Sequence, residues 1–196
     1  KGNRVLDYGA GSGKFAAFLS KKNFNTSVVE PYNKEIKNQS LLNINVYEKN
    51  ADIPKYDCYD WITLLQVIEH LPNPEDVLSK IHNILEKKGV LMIALPNINS
   101  LDARYYKSYW AALDVPRHIW HYTIKGITSL VESKGFKLEK KHPLFFDAFY
   151  ISYISETYKN SRFAMIRGFF FALLSNFSAL FNKEFSSMIF IFKKSI

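Results

Sequence analysis

The sequence predicts an α/β fold built on a doubly wound, mainly parallel sheet, and three observations predict it. Short apolar runs at Val5-Leu6, Thr26-Ser27-Val28-Val29, Trp61-Ile62-Thr63-Leu64-Leu65 and Val90 to Leu95 alternate with stretches of helical periodicity, the rhythm of strand-helix-strand units. The first run breaks into Gly9-Ala10-Gly11-Ser12-Gly13 and resumes as Lys14-Phe15-Ala16-Ala17-Phe18-Leu19. Such a strand-to-helix crossover lacks Cβ atoms where a flat polar ligand can lie against backbone. Polar residues then gather where runs end, at Asp7, at Glu30 and at Gln66, Glu69 and His70, which is the ligand-binding edge of an open sheet.

Composition bounds the reading. At 196 residues with 47% hydrophobic and 16% aromatic content, the chain fits one domain with a sizeable core and not a disordered segment. One cysteine, Cys58, excludes a disulfide framework or a cysteine metal site and suits a buried thiol. No secretory signal opens the chain, so the expected address is cytoplasmic. The net charge of +8 comes from scattered lysines that far outnumber arginines, so a nucleic-acid partner is not expected.

Spacing separates the ligands that use glycine loops. The dinucleotide fingerprint G-x-G-x-x-G needs glycine where Lys14 stands, and the phosphate loop G-x-x-x-x-G-K-[ST] needs glycine at Tyr8 and a hydroxyl at Phe15. Glu30 ends the second run about twenty residues past the first glycine, where a carboxylate can accept both ribose hydroxyls of either NAD or S-adenosylmethionine. The pattern that remains, D-x-G-x-G-x-G over Asp7 to Gly13, resembles motif I of the class I S-adenosylmethionine-dependent methyltransferases. Tyr59 to Pro72 is similar to that family's FDxVxxxxVxEHLxxP run, and the likeness spans residues 4 to about 142.

The resemblance implies a Rossmann-like sheet of seven strands, the last antiparallel, and S-adenosylmethionine as cofactor. It assigns Asp7, Gly9, Gly11, Gly13, Glu30, Pro31, Asp52 and Gln66 to cofactor binding, with Tyr32 and Ile53 beside adenine and Asn50 to Ile53 as the third-strand motif. Pro74 and Glu75 open a helix with core residues Val77, Leu78, Ile81, Ile84 and Leu85, closed by Lys87-Lys88-Gly89 with a C′ glycine. The fifth strand follows and ends in Pro96-Asn97, resembling the family's PN. A helix through Ile127, Leu130 and Val131, a sixth strand from Phe136 to Lys140 and a seventh from Ser187 to Phe192 complete the sheet. The family also has a helix upstream of the first strand, which Lys1 stands too close to that strand to include.

The acceptor is sought in residues 101–122, a loop-rich stretch with Tyr105, Tyr106, Tyr109, Trp110, Trp120 and Tyr122. Asp114-Val115-Pro116-Arg117-His118-Ile119-Trp120-His121-Tyr122 resembles the DVPRHLYHF signature of a branch similar to the ubiquinone-biosynthesis O-methyltransferases. His118, His121 and Arg117 are the candidate catalytic residues, since histidine titrates near neutrality and can take a proton from the acceptor. The bland alternative is that Arg117 pairs with Asp114 and the histidines tie the loop down. Some relatives use an acid three residues before the Glu-His pair around a divalent ion; here Gln66, an amide, occupies that position, so no metal is expected.

Residues 144–185 form a long insertion before the last strand, after a cofactor half (1–100) and a substrate half (101–143), with the last strand at 186–194. Within it Ile166, Phe170, Leu173, Phe177 and Leu180 mark one helix face, with Phe169 and Phe171 off it. Arg167, Asn176 and Asn182 interrupt it too often for a spanning helix. Core packing is one reading; the surplus apolar surface otherwise calls for a pocket lid, a homodimer or peripheral membrane contact through 163–181. The expected function is methyl transfer to an oxygen or nitrogen of a small-molecule or lipid-like acceptor. The alternatives are a noncatalytic cofactor-binding or membrane-associated accessory module and, third, a nicotinamide oxidoreductase.

Overall fold

The computed structural model describes residues 2–31, 44–49, 52–53 and 59–195. Strands β1 (Arg4–Tyr8), β2 (Asn25–Val29), β3 (Asn45–Tyr47), β4 (Tyr59–Leu65), β5 (Leu85–Pro96), β6 (Phe136–Pro143) and β7 (Ser187–Lys194) form one sheet in the order β3-β2-β1-β4-β5-β7-β6. β1 to β5 pair in parallel, and β7 runs antiparallel between β5 and β6. This is the expected doubly wound sheet. Because β1 sits beside β4, the chain winds outward in opposite directions from that pair and leaves a crevice at their carboxyl ends. Leu6, Ile62, Leu64, Leu91 and Ile93 are fully buried, as strands covered on both faces require.

Helices α1 (Lys14–Lys21), α2 (Pro74–Ile84), α3 (Leu101–Tyr106), α4 (Ile124–Glu132), α5 (Asp147–Tyr158) and α6 (Ala164–Asn182) connect the strands. α2 opens on Pro74, where a missing N–H costs nothing, with Glu75 and Asp76 in its first turn facing the positive end of the helix dipole. Thr123 caps α4, its Oγ1 accepting from the Gly126 N–H at 2.9 Å.

Several expectations change. Gly89 caps no helix: α2 ends at Ile84, and β5 begins at Leu85, paired with Tyr59. A Cβ on Gly89 would lie 2.7 Å from Leu85 Cγ, so the glycine is there because the buried Leu85 packs onto its backbone. The third strand is Asn45–Tyr47, upstream of the 50–53 stretch, and Ile53 belongs to the main core. Tyr32, Asn50, Ala51 and Cys58 lie outside the described residues. The 101–122 stretch is less loop than expected, holding α3 and two short 3-10 turns. Its Tyr106 and Trp110 are core, clustered with Ala103, Ala112 and Ile151.

α5 and α6 form an antiparallel hairpin in the insertion before β7. Its inward stripe on α6 is Gly168, Ala172, Ser175 and Ala179, because a Cβ on Gly168 would already come within 2.7 Å of Tyr153 Cα. Only small residues fit that backbone approach. The face of Ile166, Phe170, Leu173, Phe177 and Leu180 exists as expected but points outward, with every one of the five exposed, so it is not core. Phe171 turns inward instead, its ring stacked 4.0 Å from that of Tyr105.

Replacing Gly168 by leucine should therefore destabilise the fold by about 1–3 kcal/mol through forced separation of the two helices. An unchanged denaturant midpoint would show that α5 and α6 do not touch backbone to backbone.

Candidate functional site

The glycine loop leaves the carboxyl end of β1 with Gly9, Gly11 and Gly13 all at positive φ (76°, 55° and 73°), a conformation that L side chains resist. The glycines differ in purpose. A Cβ on Gly9 would strike Val67 at 2.6 Å, whereas one on Gly11 would meet nothing within 4 Å. Gly9 thus lets β1 and β4 close together, and Gly11 keeps open the space above the loop. Gly13 then starts α1, its carbonyl accepting from the Ala17 N–H at 2.8 Å.

Two carboxylates flank this loop. Glu30, at the end of β2, reaches over it and accepts from the Gly11 N–H at 2.8 Å. Asp7 is buried in β1 and accepts from Thr63 Oγ1 at 2.7 Å. Burial pushes its pKa up from the ordinary 3.8 to about 6, against the Thr63 hydrogen bond and with some help from the Glu30 charge. Pro31 lies exposed just after Glu30. Asp52 is also exposed, in a turn past β3 where its carboxylate accepts from the Lys49 N–H at 2.8 Å.

On the other side of Val67, a 330 Å³ pocket opens beside the carboxyl ends of β4 and β5, walled by Gln66, Asp114, Arg117, His118, Asp147 and Tyr150. Gln66 adopts a left-handed φ of 58° and directs its amide toward Asp147 Oδ2 at 3.4 Å. Most of the wall comes from the 111–118 segment and from α5, whose Tyr150, Ile154 and Tyr158 are spaced by four. A larger 1190 Å³ groove lies at the opposite end, near Asn3, Phe24, Asp60 and Lys88 at the amino ends of the strands. It shares no wall with the loop.

The two motif segments after β4 and after α3 are laced together. The Glu69 carbonyl accepts from the Ile119 and Trp120 N–H groups at 2.9 and 3.2 Å. His70 Nδ1 bonds the Arg117 carbonyl at 2.8 Å, and Trp120 Nε1 donates to the Leu71 carbonyl at 2.9 Å. His118 Nδ1 bonds the Ala112 carbonyl and His121 Nε2 the Leu113 carbonyl, each at 2.8 Å. A carbonyl only accepts, so the proton of neutral His118 sits on Nδ1 and leaves Nε2 as a base. Nε2 stands 4.0 Å from Glu69 Oε1 and 3.8 Å from Asp114 Oδ2.

Burial moves both partners toward neutrality. It raises Glu69 to about 7, in a place where neither carboxylate oxygen has a hydrogen-bond partner. It lowers His118, with His70 adding to the effect and the Ala112 hydrogen bond opposing it. The ligand atoms of Glu69, His70 and His118 lie within 4.8 Å of one another, close enough to face one ion. One carboxylate with two imidazoles is a transition-metal donor set rather than a magnesium or calcium one. Arg117 is salt-bridged to Asp114 at 2.7 Å and mostly exposed, and that carboxylate raises its pKa further.

The structure therefore gathers Asp7, Gly9, Gly11, Gly13, Glu30 and Pro31 at one end of the crevice and Gln66, Arg117 and His118 at the other. It leaves Asp52 on a separate turn and His121 tied back to the loop. None of the six aromatic residues expected at the acceptor lines the pocket: Trp110 Nε1 is spent on Asp102 at 2.8 Å, and Tyr105 on Phe171. The aromatic wall is Tyr150 and Tyr158, legible as an i, i+4, i+8 series had α5 been placed beside the loop.

A methyltransferase domain family model matches residues 1–141. The chain is 24% identical over 159 residues to a ubiquinone biosynthesis O-methyltransferase of Coxiella burnetii, covering 70% of this chain and 65% of that protein. It is 24% identical over 147 residues to (S)-coclaurine N-methyltransferase of Thalictrum flavum subsp. glaucum, covering 70% of this chain and 39% of that one. It thus spans less than two thirds of the length of either relative. The structure of 1,6-didemethyltoxoflavin-N1-methyltransferase of Burkholderia thailandensis, solved with 1,6-didemethyltoxoflavin and S-adenosylhomocysteine, superposes with a TM-score of 0.64 at 13% identity over 100% of this chain and 72% of that one, a likeness of fold. With more than half of its 196 residues matched by the family model, and the family's loop, carboxylates and strand order in place, the chain belongs to the methyltransferase domain family.

Proposed function

We propose that the chain transfers a methyl group from S-adenosylmethionine to an oxygen or nitrogen of a small-molecule or lipid-like acceptor, from a cytoplasmic address peripheral to the membrane. The observation that carries the reading is the loop of three left-handed glycines with the Glu30 carboxylate over it. The open space at Gly11 accepts a ligand against bare backbone, and Glu30 suits a ribose. Both relatives are named for methyl transfer, one to oxygen and one to nitrogen, and the Burkholderia fold neighbour holds S-adenosylhomocysteine. The acceptor class of the ubiquinone-like branch is carried here by the Asp114 to His121 loop.

Bound S-adenosylmethionine supplies an electrophilic methyl carbon on a sulfonium that becomes a neutral thioether. The chain's part is to orient, to exclude water and to take a proton. Gly11 gives backbone access, Gly9 and Gly13 shape the loop on either side of it, and Asp7 supplies negative charge behind the loop. Gln66 and Tyr150 hold the acceptor in the pocket, while His118 Nε2 receives its proton. Arg117 and His121 support that loop, Arg117 through Asp114 and His121 through Leu113. Glu69 stands buried 4.0 Å from His118 Nε2, and Asp114, at 3.8 Å, is the carboxylate that favours the imidazolium that forms.

Calorimetry on the intact chain should register S-adenosylmethionine binding, and Gly11→Val should abolish it while lowering stability by only roughly 1–2 kcal/mol, the cost of a left-handed side chain. No heat with the intact chain, or unchanged affinity in the variant, overturns the cofactor assignment.

His118→Ala should slow transfer by about 10²–10⁴-fold and leave cofactor affinity within a few-fold. If affinity collapses while the saturated rate survives, His118 belongs to the cofactor. Dialysis against a chelator should leave the rate unchanged; a loss restored by a divalent ion would assign Glu69, His70 and His118 to a metal.

Asp7 makes the affinity depend on pH. Its folded-state pKa, about 6, exceeds the ordinary 3.8, so its contribution to unliganded stability is present at low pH and lost as pH rises from about 4 to about 6. Affinity for a cationic ligand should move oppositely, falling as pH drops below about 6. Asp7→Asn should flatten both dependences; a wild-type affinity constant from pH 7.5 to pH 5 would rule out Asp7 as the counter-charge.

A further inference from the structure

We infer that the outer face of the α5–α6 hairpin is a docking surface for an anionic lipid bilayer. Its apolar content is high and continuous. Phe170, Phe177 and Phe181 are 64%, 59% and 77% exposed, and Phe146 at the start of α5 is 86% exposed. Monomeric soluble proteins rarely leave a stripe of this length uncovered.

The helix lies on the surface and does not cross. Ala164–Asn182 is long and apolar enough to span, with a mean hydropathy of 1.5. Yet its small stripe is buried along its length, and its polar residues tie it to the rest of the domain. Arg167 Nε donates to Glu156 at 3.1 Å, Asn176 Nδ2 to the Phe145 carbonyl at 3.0 Å, and Ser175 Oγ to Asp102 at 2.9 Å. Spanning would strip all three. A helix held flat with about 28 Å of outward apolar face matches an interfacial element.

Charge decides between a bilayer and a second copy of the chain. Residues 144–185 carry four cations, Lys159, Arg162, Arg167 and Lys183, and three acids, Asp147, Glu156 and Glu184. Glu156 is buried beneath Arg167, Asp147 faces the pocket, and half-buried Glu184 accepts from Asn97 Nδ2 at 2.7 Å. A two-fold dimer through this face would bring cations to cations with no exposed carboxylate between them. An anionic headgroup layer instead complements them, at about 1 kcal/mol per basic residue near the surface. Tyr150, exposed on α5, both borders this face and lines the pocket. Acceptors dissolved in lipid would reach the pocket from that side, a corollary that alone rests on the acceptor-pocket reading above.

Co-sedimentation of the chain with vesicles of phosphatidylglycerol and phosphatidylcholine in equal parts tests the docking. Binding is expected, weaker on pure phosphatidylcholine and at high salt. The F170S/F177S/F181S variant should bind at least roughly tenfold less while keeping the wild-type circular dichroism spectrum. Should that variant misfold, R162E/K183E, which leaves the apolar face intact, should lose roughly tenfold on the anionic vesicles alone. No binding by the folded wild type, wild-type binding by the folded variants, or a dimer by light scattering that F170S/F177S/F181S dissolves would overturn the inference. Vesicle binding by a chain that shows no heat with S-adenosylmethionine would sink the proposed activity and leave the docking standing.

Discussion

One fully buried carboxylate, Asp102, ties together the segments that wall the pocket. Its Oδ1 accepts from Ser175 on α6 at 2.9 Å, and its Oδ2 accepts from Trp110 at 2.8 Å and from Ser186 at the start of β7. A charge with no exposure is tolerated only when its lone pairs are filled, and here each donor comes from a different segment. Trp110 in turn fixes the turn at 111–113, whose Ala111 N–H donates to Ser155 Oγ on α5 at 2.9 Å. The Ala112 carbonyl that sets the tautomer of His118 belongs to that same turn. Removing the carboxylate would leave the Trp110 indole and two hydroxyls without partners, and the position of His118 would go with them.

Asn97 does for the sheet edge what Asp102 does for the helices. Its Nδ2 donates to Glu184 Oε2 at 2.7 Å and to the Phe185 carbonyl at 3.1 Å, while its Oδ1 accepts from the Asn99 N–H at 3.1 Å. The chain leaving β5 and the chain entering β7 are thereby clamped at the level of the pocket. The α5–α6 hairpin inserted just ahead of β7 thus has a fixed exit into a central strand, which keeps α5 beside the loop it must wall.

What could be read from the sequence follows from how local each constraint is. The glycine loop, the strand runs and Glu30 were legible because left-handed backbone and buried parallel strands restrict residue type position by position. Gly89 misled because a glycine after two lysines satisfies a helix-end pattern, whereas the real constraint is Leu85 packing onto it across a strand irregularity. The aromatic cluster at 105–122 misled because Trp110 and Tyr106 find partners on α6 and α5, far along the chain. On α6 the large residues mark a face that exists and points to solvent, so of the two readings core packing is the one that fails. The inward face of α6 is written in Gly168, Ala172, Ser175 and Ala179, a weaker signal that acquires meaning only once α5 is known to lie against it.

The charges divide along the same line. At the cofactor end the carboxylates of Asp7 and Glu30 stand beside the glycine loop, Asp7 on Thr63 and Glu30 on the Gly11 N–H, and negative charge there suits a ligand that brings positive charge. In the pocket charge is partly offset within the protein. Asp114 is neutralised by Arg117, burial holds His118 below its ordinary pKa, and burial raises Asp147 as well. Beside these groups the pocket presents the hydrogen-bonding side chains of Gln66, Tyr150 and Tyr158. One pocket wall, from Tyr150 to Tyr158, and the exposed apolar stripe on α6 are thus built from the one segment between β6 and β7.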